Sequence, residues 1–432
     1  MLKRFAVILF GLALSQAAIA QVNLIVVDGE LKRTPIAVVP FGWEGQAPES
    51  PLDIADVISS DLYRSGRFAP QAERDMLQKP TTGAEVDFDD WTILGIDALI
   101  VGQVVQTGEN AYDVRFQLFD PIRQTQLVGY QMPASRGTMR RVAHRAADMI
   151  YEKLTGIRGV FATKVAFVSA QKIGDRSLYR LVVADYDGEN EVIVTEDDDP
   201  IMSPAWSPDS RRIAYVSFDG NRSAIYVQQL RSGKHIKVSS DPGINGAPSF
   251  SPDGRKLVLT LGGVDGNLDI YVLDLASKQK KRLTTHRAID TEGTWSPDGR
   301  YIYFTSDRAG GPQIYRMSAN GGSPERVTFE GSYNARPRLS PDGDKLAVLT
   351  LDGGNYRIGI LDLDRKNLLV LSRGRQDESP SFAPNSDILI YATRQSGNGV
   401  LETVSADGLI RQRLASGHGD VREPVWSPFA RF

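Results

Sequence analysis

PSFSPDG, at residues 248–254, is one of six related heptapeptides in this sequence. Successive copies begin 43 to 45 residues apart. The other five copies are PAWSPDS at 204–210, GTWSPDG at 293–299, PRLSPDG at 337–343, PSFAPNS at 380–386 and PVWSPFA at 424–430. A period of about 40 to 50 residues is typical of β-propeller blades, each of which contains four short strands. The spacing therefore predicts a propeller.

The residues within and after each copy predict the local structure. Ser-Pro-Asp-Gly suits a type I turn, because proline presets φ at the second position and glycine is favoured at the last. Apolar runs follow the turns, as at Ile213–Val216 and Leu257–Leu261, and are rich in the residue types that favour strands. Each copy is therefore interpreted as the end of a blade's first strand and the turn into its second.

The two ends of the repeat region indicate how the propeller closes. Three strand-like runs, Lys164–Val168, Leu178–Ala184 and Glu191–Thr195, have no heptapeptide before them. Conversely, the last heptapeptide has no further strands after it. We therefore predict that the strand at Pro424–Pro428 pairs beside residues 164–168, completes the sixth blade and leaves no open sheet edge.

The N-terminus has the layout of a secretory signal peptide. Lys3 and Arg4 precede an apolar run, Phe5–Leu14, and small residues close the segment at Ala18–Ala20. We expect residues 1–20 to be removed, which makes Gln21 the first mature residue. No later stretch reaches the roughly 18 apolar residues of a transmembrane helix, so no direct membrane insertion is expected.

Composition limits the compartment and the partners. The 432 residues include no cysteine, so the exported chain is expected to fold around a large core without disulfides, and the periplasm is the expected location. The formal net charge is −3, and no basic stripe is present, so nucleic acid is not expected as a partner. We expect a monomer.

The pattern ahead of the propeller changes to mixed helix and strand. This predicts an N-terminal α/β domain at residues 21–156, a linker at 157–163 and the six-bladed propeller at 164–432. One helix is predicted to begin at Ser50-Pro51 and stop at Gly66. A second is predicted from Thr138 to Gly156, with its basic face, including Arg140, toward water.

Sequence motifs for catalysis are missing. The chain has no Gly-x-Ser-x-Gly nucleophile elbow and no His-Glu-x-x-His pair, and its four histidines are scattered, which predicts surface or rim positions. The acidic stretch Asp185–Glu191 is interpreted as a hairpin turn rather than a calcium loop. We therefore expect no catalytic residues, no metal and no cofactor.

The connections that lead into the heptapeptides are polar and differ from blade to blade. Examples are Asn245–Ala247, Asp290–Glu292 and Asp377–Ser379. Propeller geometry gathers these connections around one mouth of the central channel, so we predict a binding face there.

The whole mature chain resembles the TolB family, the periplasmic components of the Tol-Pal cell-envelope system. The resemblance rests on the six repeats, PIAVVPF at 35–41, NGAP at 245–248 and the terminal PVWSP at 424–428. It implies that the channel mouth binds Pal, the peptidoglycan-associated lipoprotein, and that the mature N-terminus binds TolA. Ile244 occupies a position where some relatives have a histidine. At this position the chain differs from the family, so the contact that the histidine would make with Pal is not expected here.

The resemblance also implies the residues of both sites. The implied Pal-binding residues are Asn245, Gly246, Ala247, Thr291, Glu292, Asn334, Asp377 and Glu378. The implied TolA-binding residues are Gln21, Val22, Asn23, Leu24, Ile25, Val26 and Val27, which could equally form a first strand of the N-terminal domain.

Two functions remain open at this stage. The first is a protein-binding component that supports outer-membrane integrity and envelope constriction during cell division. The second is a periplasmic hydrolase or sugar-binding enzyme in which two of the carboxylates of Glu292, Asp377 and Glu378 form a pair. In glycoside hydrolases the distance between two such carboxyl groups determines the stereochemical outcome of the reaction.

Overall fold

The computed structural model describes residues 26–27, 30–31, 33–263, 266–414 and 419–429. The predicted signal peptide and Gln21–Ile25 of the predicted TolA segment lie outside these residues. The last two residues of that segment form β1 (Val26–Val27), which pairs antiparallel with β2 (Glu30–Leu31) in a ladder of its own. Within the described part, no helix combines the length and apolar character needed to cross a bilayer.

The N-terminal domain is built on one six-stranded sheet. Its order is β5-β3-β6-β7-β8, with β4 also paired to β6. β3 runs parallel to β5 and β6, while β6, β7 and β8 form an antiparallel meander. The strands are β3 (Thr34–Val38), β4 (Gly42–Glu44), β5 (Phe68–Pro70), β6 (Ala98–Gly108), β7 (Ala111–Asp120) and β8 (Thr125–Ala134).

Three α-helices accompany the sheet: α1 (Ile54–Arg64), α2 (Phe88–Ile93) and α3 (Met139–Thr155). The predicted start of α1 at Ser50-Pro51 is wrong, because the Asp53 side chain accepts a hydrogen bond from the backbone N–H of Asp56 and so caps the helix three residues later. α3 ends as predicted at Gly156, whose φ of +75° suits a glycine C-cap. Short 3₁₀ turns lie at Glu73–Asp75, Gly83–Glu85 and Arg136–Thr138.

Six four-stranded sheets follow the helix α3. The first three strands in sequence are β9 (Lys164–Ile173), β10 (Arg176–Asp185) and β11 (Val192–Asp197). Blade 1 is β12 (Met202–Trp206), β13 (Arg212–Asp219), β14 (Arg222–Gln229) and β15 (His235–Ser239). Blade 2 is β16 (Asn245–Phe250), β17 (Lys256–Gly262), β18 (Leu268–Asp274) and β19 (Lys280–Arg282). Blade 3 is β20 (Asp290–Trp295), β21 (Tyr301–Ser306), β22 (Gln313–Ser318) and β23 (Glu325–Arg326).

The remaining strands complete the ring. Blade 4 is β24 (Asn334–Leu339), β25 (Lys345–Asp352), β26 (Asn355–Asp362) and β27 (Leu368–Val370). Blade 5 is β28 (Glu378–Phe382), β29 (Ile388–Gln395), β30 (Asn398–Ser405) and β31 (Arg411–Leu414). The last strand, β32 (Asp420–Trp426), joins β9, β10 and β11 to form blade 6.

The seam in blade 6 lies where the sequence predicts it. β32 pairs antiparallel with β9, and Trp426 is opposite Val165. Ser427 Oγ accepts a hydrogen bond from the backbone N–H of Lys164 at 3.0 Å, across 263 residues of sequence. The predicted six-bladed propeller closed by its C-terminal strand is therefore confirmed.

The residues that recur in the heptapeptides have distinct structural roles. Ser207 Oγ accepts a hydrogen bond from the backbone N–H of Arg212, which closes the turn, and the same bond recurs in the copies that start at residues 248, 293 and 337. The aromatic residue before the turn is buried against the preceding blade. Trp295, for example, packs with Val258 of blade 2 and donates its indole N–H to the Ser249 carbonyl oxygen. The repeat thus encodes both the hairpin and the packing between blades.

Candidate functional site

The two ends of the propeller channel face different surroundings. The N-terminal domain packs against the end formed by the turns from first to second and from third to fourth strands. Arg67 pairs there with Asp387 at 3.0 Å, and the Asn385 amide donates to the Arg158 carbonyl oxygen. The connections into the first strands lie at the opposite end, because strands alternate in direction. The predicted mouth is therefore not covered by the N-terminal domain.

A ring of six residues surrounds the channel just inside this mouth, and we call it the channel ring. Each member directly precedes the proline or glycine that opens its heptapeptide, lies at a register shift between the first and second strands, and has a φ between +45° and +58°. The members are Ser203, Ala247, Glu292, Arg336, Ser379 and Glu423. A left-handed backbone costs a non-glycine residue about 1 kcal/mol or more, and the bulge in every blade imposes that conformation.

The channel ring carries charges that pair with one another. Arg336 Nε lies 2.8 Å from Glu292 Oε1, and Arg336 Nη1 donates to Ser379 Oγ at 2.5 Å. Glu423 accepts a hydrogen bond from the backbone N–H of Ser203, which ties blade 6 to blade 1. Burial raises the pKa of Glu423. Burial opposes the charge of Arg336, but the carboxylates of Glu292, Glu423 and Glu378 outweigh it and raise the pKa of Arg336.

The channel is nearly filled at the level of this ring. The space enclosed there is about 30 Å³, and Arg338 also lines it. Burial lowers the pKa of the Arg338 guanidinium. A volume of this size admits at most a few water molecules. The channel ring therefore narrows the channel below the mouth.

Above the ring the mouth opens into a much larger space of about 620 Å³, which we call the mouth cavity. Its lining comes from blades 3 to 6. It shares Glu292 and Arg336 with the narrow part of the channel. The lining residues are Ile289, Thr291, Glu292, Thr305, Asp307, Pro312, Tyr333, Ala335, Arg336, Leu349, Tyr356, Gln376, Asp377, Glu378, Ala392, Thr393, Arg394, Gly399, Asp420, Val421 and Arg422.

The structure divides the residues predicted for the Pal site into groups. Thr291, Glu292, Asp377 and Glu378 line the mouth cavity together. Ala247 lines the narrow channel instead. The remaining three, Asn245, Gly246 and Asn334, line neither space.

Asn245 and Asn334 are fully buried and are used to shape the loops before their own strands. Asn245 Oδ1 accepts from Ser239 Oγ at 2.7 Å and from the backbone N–H of Asp241 at 3.0 Å. Asn334 Nδ2 donates to the carbonyl oxygen of Glu330 at 2.8 Å. These two side chains fix the rim of the mouth from inside. Their role in binding stays a prediction.

A second polar group lies at the other end of the propeller, and we call it the interdomain cluster: Asp61, His144, Tyr186 and Asp187. Asp61 Oδ1 accepts from the Tyr186 hydroxyl at 2.8 Å, and Asp61 Oδ2 lies 2.7 Å from His144 Nδ1. Asp187 is held by Arg64 and Arg140. The prediction that Arg140 faces water is wrong, and so is a surface position for His144, which is only 1 % exposed.

Burial and charge determine the protonation of this cluster. Burial raises the pKa of Asp61. Burial opposes protonation of His144, but its hydrogen bond to Asp61 and the nearby carboxylates raise its pKa. Asp187 keeps a lowered pKa because His144 and Arg140 outweigh the effect of its burial. Ion pairs and hydrogen bonds within the cluster therefore offset part of the cost of burying these groups.

Asp61, His144 and Asp187 bring potential metal-ligand atoms within 4.8 Å of one another. Two guanidinium groups already contact Asp187, at Arg64 and Arg140, and added positive charge there would be repelled. We interpret the cluster as a polar contact between the two domains, because Tyr186 and Asp187 of the β10–β11 turn contact Asp61 and Arg64 of α1 and Arg140 of α3.

Taken together, the closed propeller, the nearly filled channel and the open mouth cavity define a protein built to hold another molecule at one face. Glu292, the first member of the alternative carboxylate pair, forms an ion pair with Arg336.

Comparison with known proteins shows to which family this chain belongs. Residues 22–127 match the TolB amino-terminal domain and residues 151–430 match the TolB beta propeller domain. The Tol-Pal system protein TolB of Xanthomonas campestris pv. campestris (strain B100) is 48% identical over 431 residues, which cover 99% of this chain and 98% of that protein. The corresponding protein of Xanthomonas euvesicatoria pv. vesicatoria (strain 85-10) is 47% identical over the same shares.

A solved structure agrees with these relatives. The crystal structure of TolB from Acinetobacter baumannii has a TM-score of 0.85 and 40% identity, covering 92% of this chain and 97% of that chain. The chain belongs to the TolB family. It is a Tol-Pal system component of the cell envelope and not an enzyme, so the alternative of a periplasmic hydrolase is set aside.

Proposed function

We propose that this protein links two partners of the Tol-Pal system, binding Pal through the propeller mouth and TolA through the mature N-terminus. In this role it works in the periplasm and supports outer-membrane integrity and envelope constriction during division. The observation that carries the proposal is the mouth cavity, which is open on the face opposite the N-terminal domain and large enough to receive part of another protein.

The position of the two sites supports a linking role. The mouth cavity lies at one end of the channel, and the N-terminal domain, which carries the mature N-terminus, packs at the other. Pal and TolA are therefore assigned to separate parts of the chain. β1 and β2 pair with each other in a separate two-stranded ladder and do not join the sheet of the N-terminal domain, which supports a segment that is available to a partner.

The mouth is tested by substituting Thr291 and Glu292 with alanine together. We expect the affinity for the purified Pal domain to fall about tenfold, because the substitutions remove two side chains of the cavity wall and leave Arg336 without its ion pair. Glu325→Ala, on the outer strand of the same blade, is the matched control and is expected to bind normally. Unchanged affinity of the double variant would place the Pal site elsewhere.

The N-terminus is tested with a mature chain that lacks residues 21–27. In a pull-down we expect this variant to lose TolA and to retain Pal, since the two sites are separate. Retention of TolA would reject the N-terminal assignment, and simultaneous loss of Pal would reject the separation of the two sites.

A further inference from the structure

The mouth cavity is off-centre, and this limits where a partner can be anchored. All of its lining residues belong to blades 3 to 6. Blade 2, which carries Asn245, Gly246 and Ala247, borders the channel but adds nothing to the lining of this cavity. The space in which a partner side chain can be enclosed is therefore on the side of blades 4 and 5.

One corner of the cavity is apolar, although the mouth as a whole is charged. Tyr333 and Tyr356 meet edge to face with their ring centroids 5.3 Å apart. Tyr356 is 41 % exposed, and the buried side chains of Ala335, Leu349 and Ala392 lie in the same lining. Among the described residues no side chain donates to or accepts from either tyrosine hydroxyl. Half-exposed tyrosines above an apolar floor are the type of surface at which binding energy concentrates.

Some of the charged side chains that line the cavity are already paired within the chain, and others are not. Glu292 is paired with Arg336, Arg422 with Asp420, and Asp377 accepts from the backbone N–H of Gly374. Arg394, on blade 5, is exposed and has no ion pair within the described part of the chain. Asp307, Asp377 and Glu378 also line the cavity, so the lining carries charges of both signs, and Arg394 is its cation without an ion pair among the described residues.

We propose that the corner formed by Tyr333 and Tyr356 encloses an aromatic or long aliphatic side chain on an exposed loop of the partner, and that Arg394 pairs with an acidic residue beside it. This inference rests on the proposed function of the mouth and specifies the chemistry of the loop that enters it. It places the main binding contact on blades 4 and 5. The cavity volume of about 620 Å³ accommodates such a side chain together with its neighbours.

The test measures the affinity of the Pal domain for the full mature chain by titration calorimetry. Tyr356→Ser is expected to weaken binding at least tenfold, and Tyr356→Phe to retain most of it. Arg394→Glu is expected to weaken binding several-fold and to reduce its salt dependence, while Arg394→Lys restores part of both. Ile244→Ser, at an apolar residue that is 52 % exposed on the blade 2 side of the mouth, is the matched control and is expected to have a smaller effect.

The outcomes separate this inference from the proposed function. If wild type binds Pal and Tyr356→Ser binds equally well, the tyrosine corner is not the anchor although the function stands. If wild type does not bind Pal, the proposed function fails. If wild type instead self-associates through a contact that Tyr356→Ser abolishes, the occupant is a second copy and the inference is overturned. Melting temperatures within about 2 °C of wild type confirm that each variant is folded.

Discussion

The interdomain cluster and the mouth cavity lie at opposite ends of one propeller and differ in how far their charged side chains are buried and paired. At the interdomain end, Asp61 and Asp187 are buried, and partners from both domains occupy their oxygens. At the mouth, Arg394 is exposed beside a large open space. Paired and buried charges hold the two domains in one geometry. Exposed charges without an ion pair and half-exposed tyrosines, in contrast, can still bind a partner.

This difference predicts that substitutions at the interdomain end and along the seam reduce stability, whereas those at the mouth reduce binding. The largest effect is expected at the seam of blade 6. Removal of Arg422–Phe432 opens the ring and should abolish the cooperative thermal transition. Trp426→Ala is the graded version and should cost about 3 to 5 kcal/mol, because the indole is buried and donates to Thr163 Oγ1.

Phe329→Ala is the matched control for the seam, since Phe329 is 71 % exposed and its loss should hardly change the melting temperature. A truncated chain that melts like wild type would show that the ring does not depend on β32.

The next effect is expected in the interdomain cluster. Asp61→Ala removes the acceptor of both His144 and Tyr186 and should reduce the free energy of unfolding by about 3 kcal/mol, as breaking a buried pair does. Tyr186→Phe should cost about 1 kcal/mol. Chemical denaturation of both variants and of the double variant gives their coupling energy. Additive losses would mean that the two groups do not interact across the domains.

A separate effect is a pH dependence of stability at Asp148, whose carboxylate accepts from the backbone N–H groups of Phe161 and Ala162. Burial raises the pKa of Asp148 from 3.8 to about 7. The folded chain therefore keeps a proton that the unfolded chain releases, so stability should fall as the pH rises from about 4 to about 7 and then level off. The slope contributed by one proton is at most about 1.4 kcal/mol per pH unit.

Asp148→Asn cannot titrate and should show a flatter profile in this window, measured as melting temperature against pH. Thr291→Ala, a residue of the mouth cavity, is the control and should follow the wild-type profile. An unchanged slope in Asp148→Asn would assign the pH dependence to other groups, such as His144.

The repeat explains why the propeller could be predicted and why parts of the site could not. The hairpin and the interblade packing depend on residues inside the heptapeptide, so a period of 43 to 45 residues predicts them together with the seam. The channel ring also leaves a signal, because each member directly precedes a heptapeptide. The rim positions of Asn245 and Asn334 could be predicted, but not the direction of their side chains, which depends on hydrogen bonds within loops.

Contacts between distant parts of the sequence gave no comparable signal. Arg140 and Asp187 are 47 residues apart and belong to different domains, so the helix pattern alone predicted water around Arg140. Tyr356 lies in the third strand of blade 4, outside every heptapeptide, and meets Tyr333 only after the blade has folded. Such pairs require the folded blade to bring them together.

The seam of blade 6 also fixes when this protein can finish folding. Val165 pairs with Ala184 of β10, but the other edge of β9 stays unpaired until Trp426 has been synthesised, so five blades and most of the sixth exist before the ring can close. Contacts between residues so far apart are slow to form, because the intervening chain must first be ordered. The last dozen residues therefore act as a checkpoint: a chain that stops short of them remains an open ring with an unpaired β9 edge, recognisable as incomplete.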